Sequence, residues 1–298
     1  MSTEPGHRKP WSGLATGGAD APVGVLGIPF DSAISHRKGA ADAPDRIRRN
    51  SHYISPTTES GLILDDFQIC DYGNLERDLN WERYFGSVEA AAGEVLKHPF
   101  ALFIGGDHSV GIPLLKAFSQ QAGEPFGILH IDAHPDLVDE FDGHRWSHAC
   151  TERRALEYPH VLPENLVFCG IRSYVEEEIH FLHEHPEITV HSARDMYHRG
   201  IEDVAQAVIQ QFKGLSSIYL TLDIDCLDPA YAPGTGTPEA GGLTSRELLE
   251  FLRLIFHALP VRAMDIVEVA PPLDYSDITT WAAIKVIYEV FGWLHERL

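Results

Sequence analysis

Seven short, nearly continuous apolar runs punctuate the chain: Pro22 to Phe30, Phe100 to Gly105, Phe126 to Ile131, Asn165 to Ile171, Ile188 to His191, Ser217 to Ile224 and Val261 to Val269. Strands that are apolar on both faces must be covered on both faces, which antiparallel sheets seldom require and parallel sheets do. Stretches of helical period lie between them at Trp81 to Lys97, Val110 to Gln120, Val175 to His185, Ile201 to Phe212 and Thr244 to Ala258, with another near Ser276 to Arg297. This alternation predicts an α/β fold with a mostly parallel sheet sandwiched between helices. No linker interrupts it, so residues 21–298 read as one domain. The first 20 residues, rich in Gly, Pro and charge, read as a flexible tail or a subunit-contact arm. Ligands of such sheets bind beyond the carboxyl ends of the strands.

The 298 residues carry a formal net charge of −21. That charge repels nucleic-acid phosphates and acidic lipid surfaces and attracts a small cation. No apolar run is long enough to span a bilayer, and the N-terminus lacks the apolar core of a secretory signal. Cys70, Cys150, Cys169 and Cys226 form no CxxC pair and fit reduced thiols in a cytoplasmic protein.

Three strand ends carry the chemistry. After the first lies Gly105-Gly106-Asp107-His108-Ser109, where the glycines permit a sharp turn, Ser109 is placed to cap the next helix and His108 faces the cleft. The second is Asp132-Ala133-His134-Pro135-Asp136, whose polar residues at alternate positions share one face of an extended chain. The third is Asp223-Ile224-Asp225-Cys226, with two aspartates on one face and Cys226, on the other, reading as a buried structural thiol. Two imidazoles and four carboxylates at apolar strand ends stay unsatisfied without cations and form a set able to hold two divalent metals. Mixed imidazole and carboxylate ligation suits Mn(II) and tolerates Fe, Co, Ni or Zn. His180, His183 and His185, beside glutamates on a helix, read as solvated.

These motifs resemble the ureohydrolase family, which includes arginases and agmatinases. GIPFDSA (Gly27 to Ala33), GGDHS, DAHPD, SHA (Ser147 to Ala149), DIDCLDP, GTGTPEAGG (Gly234 to Gly242) and EVAPPLD (Glu268 to Asp274) occur in the family's order, across most of the chain. The resemblance implies a three-layer α/β sandwich with a central, mostly parallel eight-stranded sheet, a dinuclear manganese centre, homo-oligomers (trimers or hexamers), and hydrolysis of a guanidino group to urea and an amine. It implies one metal on His108, Asp132, Asp136 and Asp223 and the other on His134, Asp132, Asp223 and Asp225, with Asp132 and Asp223 bridging. In that scheme a metal-bridging hydroxide, hydrogen-bonded to Asp136, attacks the guanidinium carbon. His148 then protonates the leaving amine and Glu268 pairs with the guanidinium. Thr237 lines the cleft, while Asp107 and His130 either orient ligands from behind or are merely satisfied polar groups.

The stretch Asp228 to Glu239 looks closer to agmatinases than to arginases, and the acidic loop Leu137 to Trp146 suits a cationic tail such as agmatine's, or is only a solvated rim. Against agmatine stand the basic residues His36, Arg37, Lys38 and Arg145, which could hold a guanidino acid's carboxylate. Phe141 and Trp146 could instead shrink the pocket toward guanidine itself. From other classes, the same ligands could serve a dinuclear phosphoesterase or amidohydrolase, or a metal-stabilised subunit without activity.

Overall fold

The computed structural model describes residues 10–297. Its centre is one sheet of eight strands: β1 (Val23–Gly27), β2 (Ile69–Asn74), β3 (Phe100–Ile104), β4 (Gly127–Ile131), β5 (Leu166–Ile171), β6 (Thr189–Ser192), β7 (Ile218–Asp223) and β8 (Val261–Val267). Their spatial order is β2-β1-β3-β8-β7-β4-β5-β6, and every neighbouring pair is parallel. The nine helices are α1 (Ala43–Asn50), α2 (Trp81–Val95), α3 (Gly111–Ala122), α4 (Thr151–Ala155), α5 (Glu176–Glu184), α6 (Ala193–Arg199), α7 (Ile201–Gln211), α8 (Ser245–Ala258) and α9 (Ile278–His295), counted among the described residues.

Strand alternation divides the interior into two cores. Phe100, Leu102 and Ile104 of β3 point to the side covered by α7, α8 and α9, whereas Ala101 and Phe103 point to the side covered by α2 and α3. All seven strands expected from apolar runs form, within a few residues of their expected ends. The first ends early, at Gly27, because Pro29 has no N–H to offer the ladder. The eighth, β2, lies at the sheet's edge, half-exposed, so its sequence ICDYGN lacks the apolar run of an interior strand.

Of the expected tail, residues 1–9 lie outside the described residues; in the remainder Trp11 and Leu14 are buried, while Pro10, Ala15, Thr16 and residues 18–20 are exposed. Trp11 is fully buried, its amide donates to Ser51 Oγ (2.8 Å) and its indole N–H to Asp71 (2.6 Å). A large aromatic flanked by polar residues has no periodicity to betray its burial.

Because the sheet is wholly parallel, all carboxyl ends emerge on one side. The four central strands β3, β8, β7 and β4 stand side by side, and their following loops carry residues 105–109, 268–270, 223–228 and 132–136. Segments more than a hundred residues apart in sequence thereby meet at one place.

Candidate metal centre

The loop after β3 is shaped by crowding. A Cβ at Gly106 would stand 1.6 Å from the Phe30 carbonyl oxygen, so no other residue fits there. Asp107, not Ser109, caps the following turn. Its side chain accepts from the Ser109 amide (3.1 Å) and hydroxyl, and its other oxygen accepts from the Ala33 amide (2.9 Å). Burial, reinforced by the charge of Glu268, pushes the Asp107 carboxyl up to about 7.

His108 is held from behind. Tyr219 and Thr221 hydroxyls each donate to Asp265 (2.6 Å), and His108 Nε2 lies 2.8 Å from the Thr221 oxygen. The threonine's one proton is committed to a carboxylate, so its oxygen must accept from Nε2–H. Nδ1 is then left facing Asp132 Oδ2 (3.0 Å), Asp136 Oδ2 (3.0 Å) and Asp223 Oδ2 (3.5 Å). It is buried and makes no hydrogen bond.

The loop after β4 converges by bending. β4 stops at Ile131, Asp132 Oδ1 accepts from the His134 amide (2.7 Å), and Asp136 takes a left-handed φ of 52°. One face of an extended strand, the expected device, is therefore not what gathers these residues. His134 Nδ1 faces Asp132 Oδ1 (3.5 Å) and Asp225 Oδ2 (3.2 Å). After β7 the chain again bends: Asp223 Oδ1 accepts from the Asp225 amide (2.8 Å), and Cys226 is buried as expected, which pushes its thiol up. The six expected ligands thus gather in two groups, His108 with Asp132, Asp136 and Asp223, and His134 with Asp132 and Asp225.

Four buried carboxylates cannot all be ionised without a balancing cation. Burial, with repulsion from Asp225 and Asp132, drives Asp223 well up. Burial opposes charge on the histidines, but hydrogen bonds to Asp132 and Asp225 outweigh it and raise His134 to about 12. An orphaned Nδ1 ringed by carboxylate oxygens and a surplus of buried acid are what metal ions would satisfy, displacing those protons. The residues fit a divalent-metal centre. His130 also borders the cluster, but its ring nitrogens are taken by Glu152 and Asp132, and Asp132 with Glu152 raises it, against burial, to about 10.

Glu268 follows β8 with a φ of 61°, is buried, and its Oε1 accepts from the His108 amide (2.9 Å). Two carboxylates of the site thus sit in a backbone region that costs a non-glycine residue of order 1–3 kcal/mol. His148 Nδ1 stands 3.6 Å from Glu268 Oε1, and Nε2 accepts from the Ser35 amide (3.1 Å). Burial opposes charge on His148, but Glu268 outweighs it and brings the imidazole to about 9. Taking up the second proton requires the Ser35 amide to leave Nε2.

A cavity of about 130 Å³ opens onto His134, Asp136 and His148, with Thr237 and Phe141 in its walls. The Thr237 hydroxyl lies 3.4 Å from Asp225 Oδ2. The wall holds one residue missed in the sequence, Glu178, which is buried and accepts from the amides of Leu137 (3.1 Å) and Val175 (2.9 Å). Burial pushes its carboxyl up to about 7. It was hidden among the solvated acids of α5, where His180 and His183 are exposed as expected; only its place at the helix's third position, able to cap the Val175 amide, set it apart. Trp146 does not line the cavity and packs near Phe85. Arg145 pairs with Glu157 (2.6 Å), and Asp139 of the acidic loop is held by Arg154 and Arg145.

A further missed residue is Arg172. Its guanidinium donates to the carbonyls of Asp225 (2.7 Å) and Glu239 (2.7 Å), tying the loop that bears Thr237 to the turn that bears Asp225.

Fold and cluster together define an α/β enzyme with a buried imidazole–carboxylate metal centre at the carboxyl ends of its central strands. The arginase family matches residues 21–292. An agmatinase of Bacillus anthracis is 34% identical over 285 residues, 92% of this chain and 93% of that one. A guanidinobutyrase of Pseudomonas aeruginosa is 32% identical over 271 residues, 89% of this chain and 84% of that one. Among solved structures, the proclavaminate amidino hydrolase from Streptomyces clavuligerus superposes with a TM-score of 0.88 at 29% identity, covering 97% of each chain. The chain belongs to the arginase family and is a metal-dependent amidinohydrolase.

Proposed function

We propose that the enzyme hydrolyses agmatine to putrescine and urea at a dinuclear centre. The lining of the cavity carries the choice of substrate. Among the described residues, it holds no lysine or arginine, and Glu178 is the one carboxylate in it apart from Asp136. A carboxylate tail would enter without a counter-ion, whereas an ammonium tail would meet Glu178.

The two groups of ligand atoms support one ion on His108, Asp132, Asp136 and Asp223, and a second on His134, Asp132, Asp223 and Asp225. Asp132, which faces both histidines, suits a bridge. We assign manganese, the donor set also admitting nickel. Two such ions would supply acidification of a bound water, making it a nucleophile for the guanidinium carbon. The chain's own groups do the rest. Glu268, with a left-handed backbone fixing its direction, pairs with the planar guanidinium and orients it. Gly236 keeps room for that pairing, since a Cβ there would crowd the Arg37 carbonyl at 2.9 Å and stand 3.6 Å from Glu268 Oε2. Asp136 accepts a hydrogen bond from the attacking water. His148 delivers its proton to the leaving amine nitrogen as the carbon–nitrogen bond breaks. Thr237 lines the substrate's path. A homo-oligomer, trimer or hexamer, and a cytoplasmic setting belong to the same reading, the latter supported by four free cysteines. No helix among the described residues is long and apolar enough to cross a membrane.

The guanidinobutyrase relative favours a guanidino acid as second reading. That reading needs a cation from outside the lining, with His36, Arg37 and Lys38 the candidates, all exposed. The test is urea release by chelator-stripped enzyme reloaded with Mn(II) or Ni(II), across agmatine, arginine, guanidinobutyrate, guanidinopropionate and guanidine. Agmatine should lead. A lead for either acid overturns the role of Glu178, and silence on every compound overturns the substrate class.

A further inference from the structure

His130 lies in the middle of the sheet, on β4, with no exposed surface, its ring stacked on His108 (centroids 4.9 Å) and edge-on to Phe168 (5.0 Å). An imidazole among apolar strands needs a reason, and both of its nitrogens have one. Nε2 is 3.0 Å from Asp132 Oδ2 and 3.0 Å from the His134 carbonyl oxygen, and Nδ1 is 2.9 Å from Glu152 Oε1. Glu152 is itself completely buried at the start of α4, and its other oxygen has no partner. Its backbone is committed to the same place: the amides of Glu152 and Arg153 donate to the Asp136 carbonyl (3.1 and 3.3 Å). Just before it, the Thr151 hydroxyl stands 3.0 Å from the carbonyl oxygens of both His108 and His148.

We propose that Glu152 and His130 form a buried positioning relay, in which Glu152 fixes the imidazole and the imidazole fixes Asp132 Oδ2 and the His134 carbonyl. The inference rests on the metal reading of the cluster. Among the described residues, Asp132 is the only carboxylate that faces both ligand histidines, so an error in its torsion would misplace oxygens at both ion positions at once. A carboxylate in water would sample its torsions freely. Here one oxygen is held by the His134 amide and the other by the His130 ring, so the side chain cannot rotate without breaking a buried hydrogen bond. The ring would swing about its own χ2 if Nδ1 were unheld, and Glu152 prevents that. Neither residue is placed to be a ligand: both nitrogens of His130 are engaged, and Glu152 lies on the far side of the ring. Partners of this kind, removed one step from the ion, are typically worth about 10–100-fold in metal affinity.

The test is equilibrium Mn(II) binding by calorimetry on wild type, Glu152→Ala, Glu152→Gln, His130→Phe and the double variant Glu152→Ala/His130→Phe, with thermal melts of the metal-free proteins alongside. Glu152→Ala and His130→Phe should each weaken Mn(II) by about 10–100-fold. Glu152→Gln, which keeps an acceptor for Nδ1, should recover most of the loss. The double variant should bind no more weakly than His130→Phe alone, because Glu152 acts only through the ring. A purely structural role would lower the melting temperatures and leave Mn(II) affinity as in wild type, and that result overturns the relay. Losses that add in the double variant, or Glu152→Gln as weak as Glu152→Ala, overturn it too. If His130→Phe does not fold, the comparison of Glu152→Ala with Glu152→Gln decides. Failure of the wild-type chain to bind Mn(II) refutes the metal reading itself, a different result from equal affinities.

Discussion

Thr221 carries one hydroxyl between two partners that cannot do without it. Replacing it by valine keeps shape and volume and removes only the oxygen. His108 Nε2–H then loses its acceptor at 2.8 Å and Asp265 Oδ1 its donor at 2.6 Å, and all three side chains are buried. A buried group left without a partner costs about 1–3 kcal/mol, with the charged one toward the upper end. Two orphans therefore destabilise Thr221→Val by about 2–6 kcal/mol in the metal-free state. Asp265 retains the Tyr219 hydroxyl (2.6 Å), which keeps the loss from growing further. Freed from Thr221, the His108 ring also loses the contact that sets its proton on Nε2 and its lone pair on Nδ1, so metal affinity falls by about 10–100-fold. Chemical denaturation of the chelated protein measures the first quantity and a metal-binding isotherm the second, with Thr221→Ser as control. Serine keeps the hydroxyl and should preserve the affinity, losing only the packing of one methyl group, roughly 1 kcal/mol. A Thr221→Val protein as stable as wild type and binding metal equally well would refute the assignment of the His108 tautomer.

His148→Ala should lower kcat about 10²–10⁴-fold while metal content and melting temperature stay near wild type, measured by urea release and elemental analysis. The protonated His148, raised to about 9, is the competent acid, so kcat should hold below that pH and fall above it. Glu178→Gln should raise KM for agmatine more than for guanidine, which has no tail. Because burial lifts the Glu178 carboxyl to about 7, the charged form that pairs with an ammonium is lost as pH falls through 7, and wild-type KM for agmatine should climb there while that of Glu178→Gln stays flat.

The ligand residues were legible because charge at the end of an apolar run is costly and so carries information. His108, Asp132, His134, Asp136, Asp223 and Asp225 all stand where a strand stops, and the structure gathers them. The reason given for their convergence was partly wrong, since the chain bends at Asp132 and Asp223 through side chains that accept from the second amide on. A local hydrogen bond of this kind leaves no periodic trace. The groups that hold the ligands were harder to see. Asp265 and Thr221 lie inside strands, and a polar residue between apolar neighbours in VRAMDIV or IYLTLD looks like an imperfection until its partner on the adjacent strand is known. Glu152 sits in the short, charged helix TERRA, where burial is the last thing composition suggests. Their roles depend on pairings across the fold, and local pattern does not encode those.

The insertion of β8 between β3 and β7 has a consequence for how the molecule is made. Without β8 the sheet falls into two pieces, β2-β1-β3 and β7-β4-β5-β6, with no backbone pairing between them. A nascent chain that has reached Leu259 already owns every expected ligand residue, yet no backbone ladder joins the two pieces that carry them. Each then exposes an apolar inner edge, β3 in one and β7 in the other, open to pairing with another chain. β8 covers both edges and brings Glu268 to the site. Ordering of the two pieces should thus await β8, and chaperone dependence should be greatest in the interval just before residues 261–267 emerge.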